Sequence, residues 1–173
     1  GFLILGREDI LGIPISIWIM VLIFAIAVYV SKKTPLGRHI YAVGGNEEAA
    51  KLSGVRVKSV RMFVYMFAGF CSAIAGLIWA SQLGTASPKI GDTFELDAIA
   101  AAVLGGTSLA GGRGTIGGTL IGAFVIGVLA DGMVMIKITP FLQMVIKGTI
   151  IVLAVIVDQL QARIQQKTAL QQS

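Results

Sequence analysis

Gly12-Ile-Pro-Ile-Ser-Ile-Trp-Ile-Met-Val-Leu-Ile-Phe-Ala-Ile-Ala-Val-Tyr-Val30 holds no charged residue over about 19 residues, enough helix to cross roughly 30 Å of hydrocarbon. Pro14 falls in the first turn, where its missing N–H does no harm, and Trp18 lies near that end. Lys32, Lys33 and Arg38 follow at once, so the rule that positive loops stay inside sets Val30 at the cytoplasmic face. The whole chain agrees with this reading. Of its 173 residues 55% are hydrophobic and only 13% charged, against about 25% charged in soluble domains. An all-α polytopic membrane protein follows.

The formal charge of +5 would suggest nucleic acid in a soluble protein. Here half of the fourteen Lys and Arg lie between Lys32 and Arg61, and the series of interleaved aromatics that base stacking needs is missing, Tyr41 standing alone among them. A cytoplasmic loop explains that cluster, and nucleic acid is not expected as a partner. Cys71 is the only cysteine and His39 the only histidine, which excludes a disulfide framework and a structural zinc site. A chain beginning at Gly1, without an initiator Met, reads as a fragment that has lost an N-terminal part.

Working outward, residues 1–11 form a short polar lead with Arg7, Glu8 and Asp9, and the first span is about 12–30. Residues 31–61 form the loop. A second charge-free run, 62–83, returns outward and carries Gly69, Ser72, Ala73 and Gly76 at helical spacing, a stripe that admits close approach. The stretch 84–97 sets Lys89 against Asp92, Glu95 and Asp97, an acidic balance that suits the outer side. Residues 98–111 are apolar but short, either a tilted helix reaching the inside or a re-entrant piece buried in protein. The span 115–136 continues the Gly114-x-x-x-Gly118-x-x-x-Gly122 seam, and the last span, 138–157, contains Lys147. Gln159 to Gln172 reads as a frayed or disordered tail. If the last span ends inside, beside Arg163 and Lys167, residues 98–113 must bring the chain inward.

Inside the loop, Asn46 is a good helix N-cap, Glu47 and Glu48 favour the first turn, and Gly54 suits a left-handed stop. A helix of two turns is unstable alone in water. It presents Ala49, Ala50, Leu52 and Val55, small or apolar residues fit for a partner's groove. The plainer alternative is a solvated cap that only steadies the loop.

Asp131 and Lys147 are the ionisable residues well inside apolar spans, about one helical turn apart in depth. They can pair with each other, or Lys147 can meet backbone carbonyls or an aqueous path. A proton relay lacks the accompanying carboxylates and histidines. Gly112-Arg113-Gly114-Thr115-Ile116-Gly117 matches G-x-G-x-x-G in letters, but the strand and βαβ context of a dinucleotide site are missing, and no phosphate-loop lysine follows. Ser53, Ser72, Ser81, Ser87 and Ser108 have no histidine nearby in sequence. Neither an enzyme, a bound cofactor nor a metal is expected.

The segment Thr34-Pro-Leu-Gly-Arg-His-Ile-Tyr-Ala-Val-Gly-Gly-Asn-Glu-Glu-Ala-Ala-Lys-Leu-Ser-Gly-Val55 resembles the cytoplasmic loop of bacterial sugar ABC-importer permeases. Glu95-Leu-Asp-Ala-Ile-Ala-Ala-Ala-Val-Leu-Gly-Gly-Thr-Ser-Leu-Ala-Gly-Gly-Arg-Gly114 is similar to that family's second signature. Asp131-Gly132 stands where Asn-Gly is often found. The resemblance covers residues 12–158. It implies the C-terminal half of an inner-membrane permease, conducting a monosaccharide such as ribose from periplasm to cytoplasm. It further implies a second permease copy, a cytoplasmic ATPase with fused nucleotide-binding halves, and a periplasmic sugar-binding protein. Asn46, Glu47, Glu48, Ala49, Ala50, Leu52 and Gly54 would form the coupling helix that meets the ATPase. Gly105, Gly106, Gly111, Gly112 and Gly114 would shape the broken segment near the path, with Asp131 and Lys147 beside it. The rivals are a secondary sugar or ion transporter using Asp131 and Lys147, and a truncated, inactive permease.

Overall fold

The computed structural model describes residues 9–10, 12–85, 91 and 93–171, with side chains placed over 12–85, 91 and 93–160. Of the acidic outer stretch, Lys89 and Asp92 lie outside the described residues, as do Arg7 and Glu8 of the polar lead. Seven helices occur among the described residues, preceded by a two-residue antiparallel pairing of β1 (Asp9–Ile10) with β2 (Ile13–Pro14). Four helices are long and apolar enough to cross a membrane. The chain divides into two compact units, Gly1–Asp92 and Thr93–Ser173.

In the first unit, α1 (Ile15–Lys33) is a single apolar rod whose last turn carries Lys32 and Lys33, where the helix dipole favours positive charge. Thr34 stops it. The residue before a proline is pushed out of helical conformation, and Thr34 is extended at φ −110° and ψ 154°. The same residue starts α2 (Pro35–Gly45): its hydroxyl accepts from the Gly37 N–H at 3.3 Å, and Pro35 occupies the first turn. This helix was not foreseen inside the loop. Six residues of α3 (Glu47–Leu52) follow, and α4 (Val57–Leu83) then runs for 27 residues. α4 begins well before Met62: Lys58 and Arg61 sit on its first turns rather than in a loop. The stripe Gly69, Ser72, Ala73, Gly76 is exposed along it.

In the second unit, α5 (Phe94–Leu104) packs on α6 (Ile116–Met135) and on α7 (Pro140–Gln171). Eleven residues at 1.5 Å per residue reach about 16 Å, half a bilayer core. α5 lies antiparallel to α6 at very close range. A methyl group on Gly118 would overlap the Gly105 carbonyl, and one on Gly122 would overlap the Ala101 carbonyl. Ala101-x-x-x-Gly105 therefore faces Gly118-x-x-x-Gly122, small residues on both helices. Ala100, Ala101 and Ile126 form the buried core of the unit, with Ile151 of α7 against it. α7 does not fray at Gln159; it stays helical to Gln171, past the end of its spanning part at Leu160.

The seam gives a direct test. Gly118→Ala should lower stability by about 1–3 kcal/mol, because backbone must shift to admit the methyl group. Gly127→Ala on the same helix meets nothing within 4 Å and should gain up to about 1 kcal/mol from helix propensity. Thermal unfolding of the purified protein in detergent compares the two.

Candidate functional site

The polar hairpin of the first unit is built around α3. The Asn46 side chain accepts from the Ala49 N–H at 2.9 Å, which satisfies one of the free donors of the first turn, and Glu47 and Glu48 follow it. At the other end Gly54 takes φ +83°, its N–H reaches the Lys51 carbonyl, and the Val55 N–H reaches the Ala50 carbonyl. These two bonds make a Schellman stop that needs a residue free of a Cβ penalty. Glu47 also forms an ion pair with Arg61 of α4. Both side chains are half exposed, so water screens the pair and it contributes little energy.

The side chains of α3 divide sharply. Ala50 is 5% exposed, turned into the hairpin, whereas Leu52 is 89% exposed. Asn46, Glu47, Glu48, Ala49 and Gly54 are exposed as well. The expectation that Ala50 presents itself to a partner's groove is therefore corrected: its methyl belongs to the packing between α3 and its neighbours α2 and α4. α3 is short enough that one side must be spent on holding it in place. Leu52 is the apolar side chain it holds out into water.

The broken segment is assembled in the second unit. Gly106 closes α5 at φ +85°, with its own N–H on the Val103 carbonyl and the Thr107 N–H on the Ala102 carbonyl. The Ser108 N–H then bonds the Arg113 carbonyl at 3.0 Å, closing the loop back on itself. Gly111, Gly112 and Gly114 also take positive φ, while Gly105 supplies the close approach to Gly118. Thr115 opens α6 by accepting from the Gly118 N–H at 3.0 Å. The sequence letters of a dinucleotide motif thus serve a backbone turn between two helices.

Two polar contacts tie this segment to α7. Lys147 Nζ donates to Asp97 Oδ2 at 2.8 Å, and Ser108 Oγ donates to Asp158 Oδ2 at 3.0 Å. Both join residues fifty apart, so α7 runs alongside residues 97–108 in one register. Lys147 pairs with Asp97, not with Asp131, which is exposed on α6. Asp97 is thereby moved from an outer loop surface to the first turn of α5, where a carboxylate also meets the positive end of the helix dipole. Composition alone set Asp97 among loop acids; only the start of α5 at Phe94 reveals otherwise. Ser108 and Asp158 carried no sequence signal beyond their types.

Long apolar helices and a folded polar hairpin, with one further helix of half length, define a polytopic membrane protein. The chain belongs to the family described as "Branched-chain amino acid transport system / permease component", whose model matches residues 2–155. This is a family of transport permeases rather than enzymes, and with four spanning helices the chain is a multi-pass inner-membrane protein. It is 50% identical over 157 residues to the ribose import permease of Haemophilus influenzae, 91% of this chain and 49% of that protein. Over 159 residues it is 50% identical to the ribose import permease of Bacillus subtilis, 92% of this chain and 49% of that protein. The xylose transport system permease of Escherichia coli is 44% identical over 156 residues, 90% of this chain and 40% of that protein. The chain spans about half the length of the ribose permeases it matches. No solved structure matches it.

The division of α3 predicts opposite responses at two neighbouring positions. Ala50→Leu should destabilise the hairpin by about 1–3 kcal/mol through overpacking, while Leu52→Ser should change stability by less than about 0.5 kcal/mol. Hydrogen exchange at the α3 amides would register the first and not the second.

Proposed function

We propose that this chain is part of the membrane-spanning subunit of an ATP-binding-cassette importer that passes a ribose-like monosaccharide from periplasm to cytoplasm. The observation that carries the reading is α3: a capped rod of two turns, pinned by its buried Ala50 and exposing Leu52 between two membrane-crossing helices. A groove on a cytoplasmic ATPase would receive Leu52, with Glu47, Glu48 and Ala49 at its rim and Asn46 and Gly54 keeping the rod intact. ATP-driven closure of the ATPase would displace α3, and α1 and α4, joined to it through α2 and the turn at Val55, would follow.

The relatives named for ribose and xylose support the choice of a monosaccharide. In this reading the permease makes and breaks no covalent bond and needs no cofactor. Sugar selectivity resides mainly in a periplasmic binding protein, and a second permease copy completes the passage within the lipid. Gly105, Gly106, Gly111 and Gly112 shape the interrupted crossing beside that passage. A secondary transporter coupled through Asp131 and Lys147 fits less well, because Lys147 is already engaged by Asp97 and Asp131 stands apart from it. A truncated, inactive permease predicts that no ATPase is bound at all.

Leu52→Arg combined with Glu48→Arg should leave insertion and thermal stability unchanged while abolishing co-purification of the ATPase and reducing ATP-driven uptake at least about tenfold, as loss of a central apolar anchor does at interfaces. Retention of the ATPase by this variant would refute the docking role. Uptake driven by a proton gradient without ATP would favour the secondary transporter.

A further inference from the structure

A charge at membrane depth persists where it meets an opposite charge, buried backbone or water. Lys147 lies seven residues into α7 from Pro140, about 10 Å along the helix. Asp97 precedes by one turn the Ala101 that packs with Ile126, midway along α6. The pair is thus set near the middle of the crossing, not at its rim.

Three observations distinguish it from a simple tie. α5 is already seated on α6 by Ala101 and Gly105 against Gly122 and Gly118, and Ser108 already joins the segment to Asp158 of α7. An apolar pair of similar volume would hold two helices as firmly, since stripping water from two charges offsets their attraction. Finally, the pair is not sealed: the side chains of Lys147 and Asp97 remain 19% and 23% exposed.

We propose that Asp97 and Lys147 form a binding station on the solute passage for a neutral, polyhydroxylated solute. This deepens the importer reading and rests on it. An ammonium has three donors and a carboxylate about four acceptor positions, and the contact between them uses one of each. The pair satisfies itself when the passage is empty, yet retains donors and acceptors for sugar hydroxyls. Its net charge is zero, so it selects neither anions nor cations, as a conduit for an uncharged sugar requires.

The test uses the assembled transporter, with its ATPase and binding protein, in proteoliposomes taking up radiolabelled ribose. Asp97→Leu with Lys147→Met removes both charges; this double variant should insert, bind the ATPase and hydrolyse ATP, while uptake falls at least about tenfold for want of hydrogen-bonding groups. Asp97→Asn with Lys147→Gln keeps such groups and should retain uptake within about threefold of the unaltered transporter. Wild-type uptake by the apolar variant overturns the proposal. So does its failure to insert, which would make the pair a structural tie, or equal loss in both variants. Absence of ATP-driven ribose uptake by the unaltered transporter overturns the importer reading itself, before any variant is compared.

Discussion

A helix that ends against neighbouring helices must still find partners for its last carbonyls, and the second unit supplies them. Left without partners in a buried position, such groups are costly. Here the last turn of α5 is closed by the Gly105, Gly106 and Thr107 amides, and the loop beyond it by Ser108 on Arg113. The cover comes from α6, which approaches so closely that its own Gly118 and Gly122 have no room for a side chain. The short helix exists because its neighbour gives up two side chains. Two polar contacts fasten that short segment to α7, Lys147 on Asp97 and Ser108 on Asp158.

In the first unit the demand is reversed. α1 and α4 keep apolar side chains exposed along their lengths, surfaces suited to lipid or to other membrane helices. The order lies in the polar connection. Thr34 ends α1 and starts α2, Asn46 ends α2 and starts α3, and Gly54 stops α3, so three changes of direction are specified by three residues.

Much of this was legible before any coordinates. Runs without charge marked the spans, and Asn46 with Gly54 bracketed α3 because capping chemistry is local. The Gly118 and Gly122 seam was visible as spacing, though its partner, Ala101 and Gly105, was not. α2 was missed although Thr34-Pro35 is a strong start signal, because the density of basic residues suggested an unstructured loop. Asp97 was misassigned for a different reason: its pairing depends on α7 lying fifty residues further on, and no local pattern encodes that register. Ala50 and Leu52 are both apolar, so composition alone could not tell which one faces inward.

The shared fifty-residue offset restricts where the chain can change length. Lys147 and Asp158 are eleven residues apart on one helix, about three turns, which brings both to the same side of α7. Removing a single residue between them would swing Asp158 by about 100° around the axis and carry it away from Ser108. Insertions between α6 and α7 move both anchors together and leave their spacing intact. Length variation should therefore collect in the connection after Met135, while the stretch from Lys147 to Asp158 behaves as a ruler cut to one size.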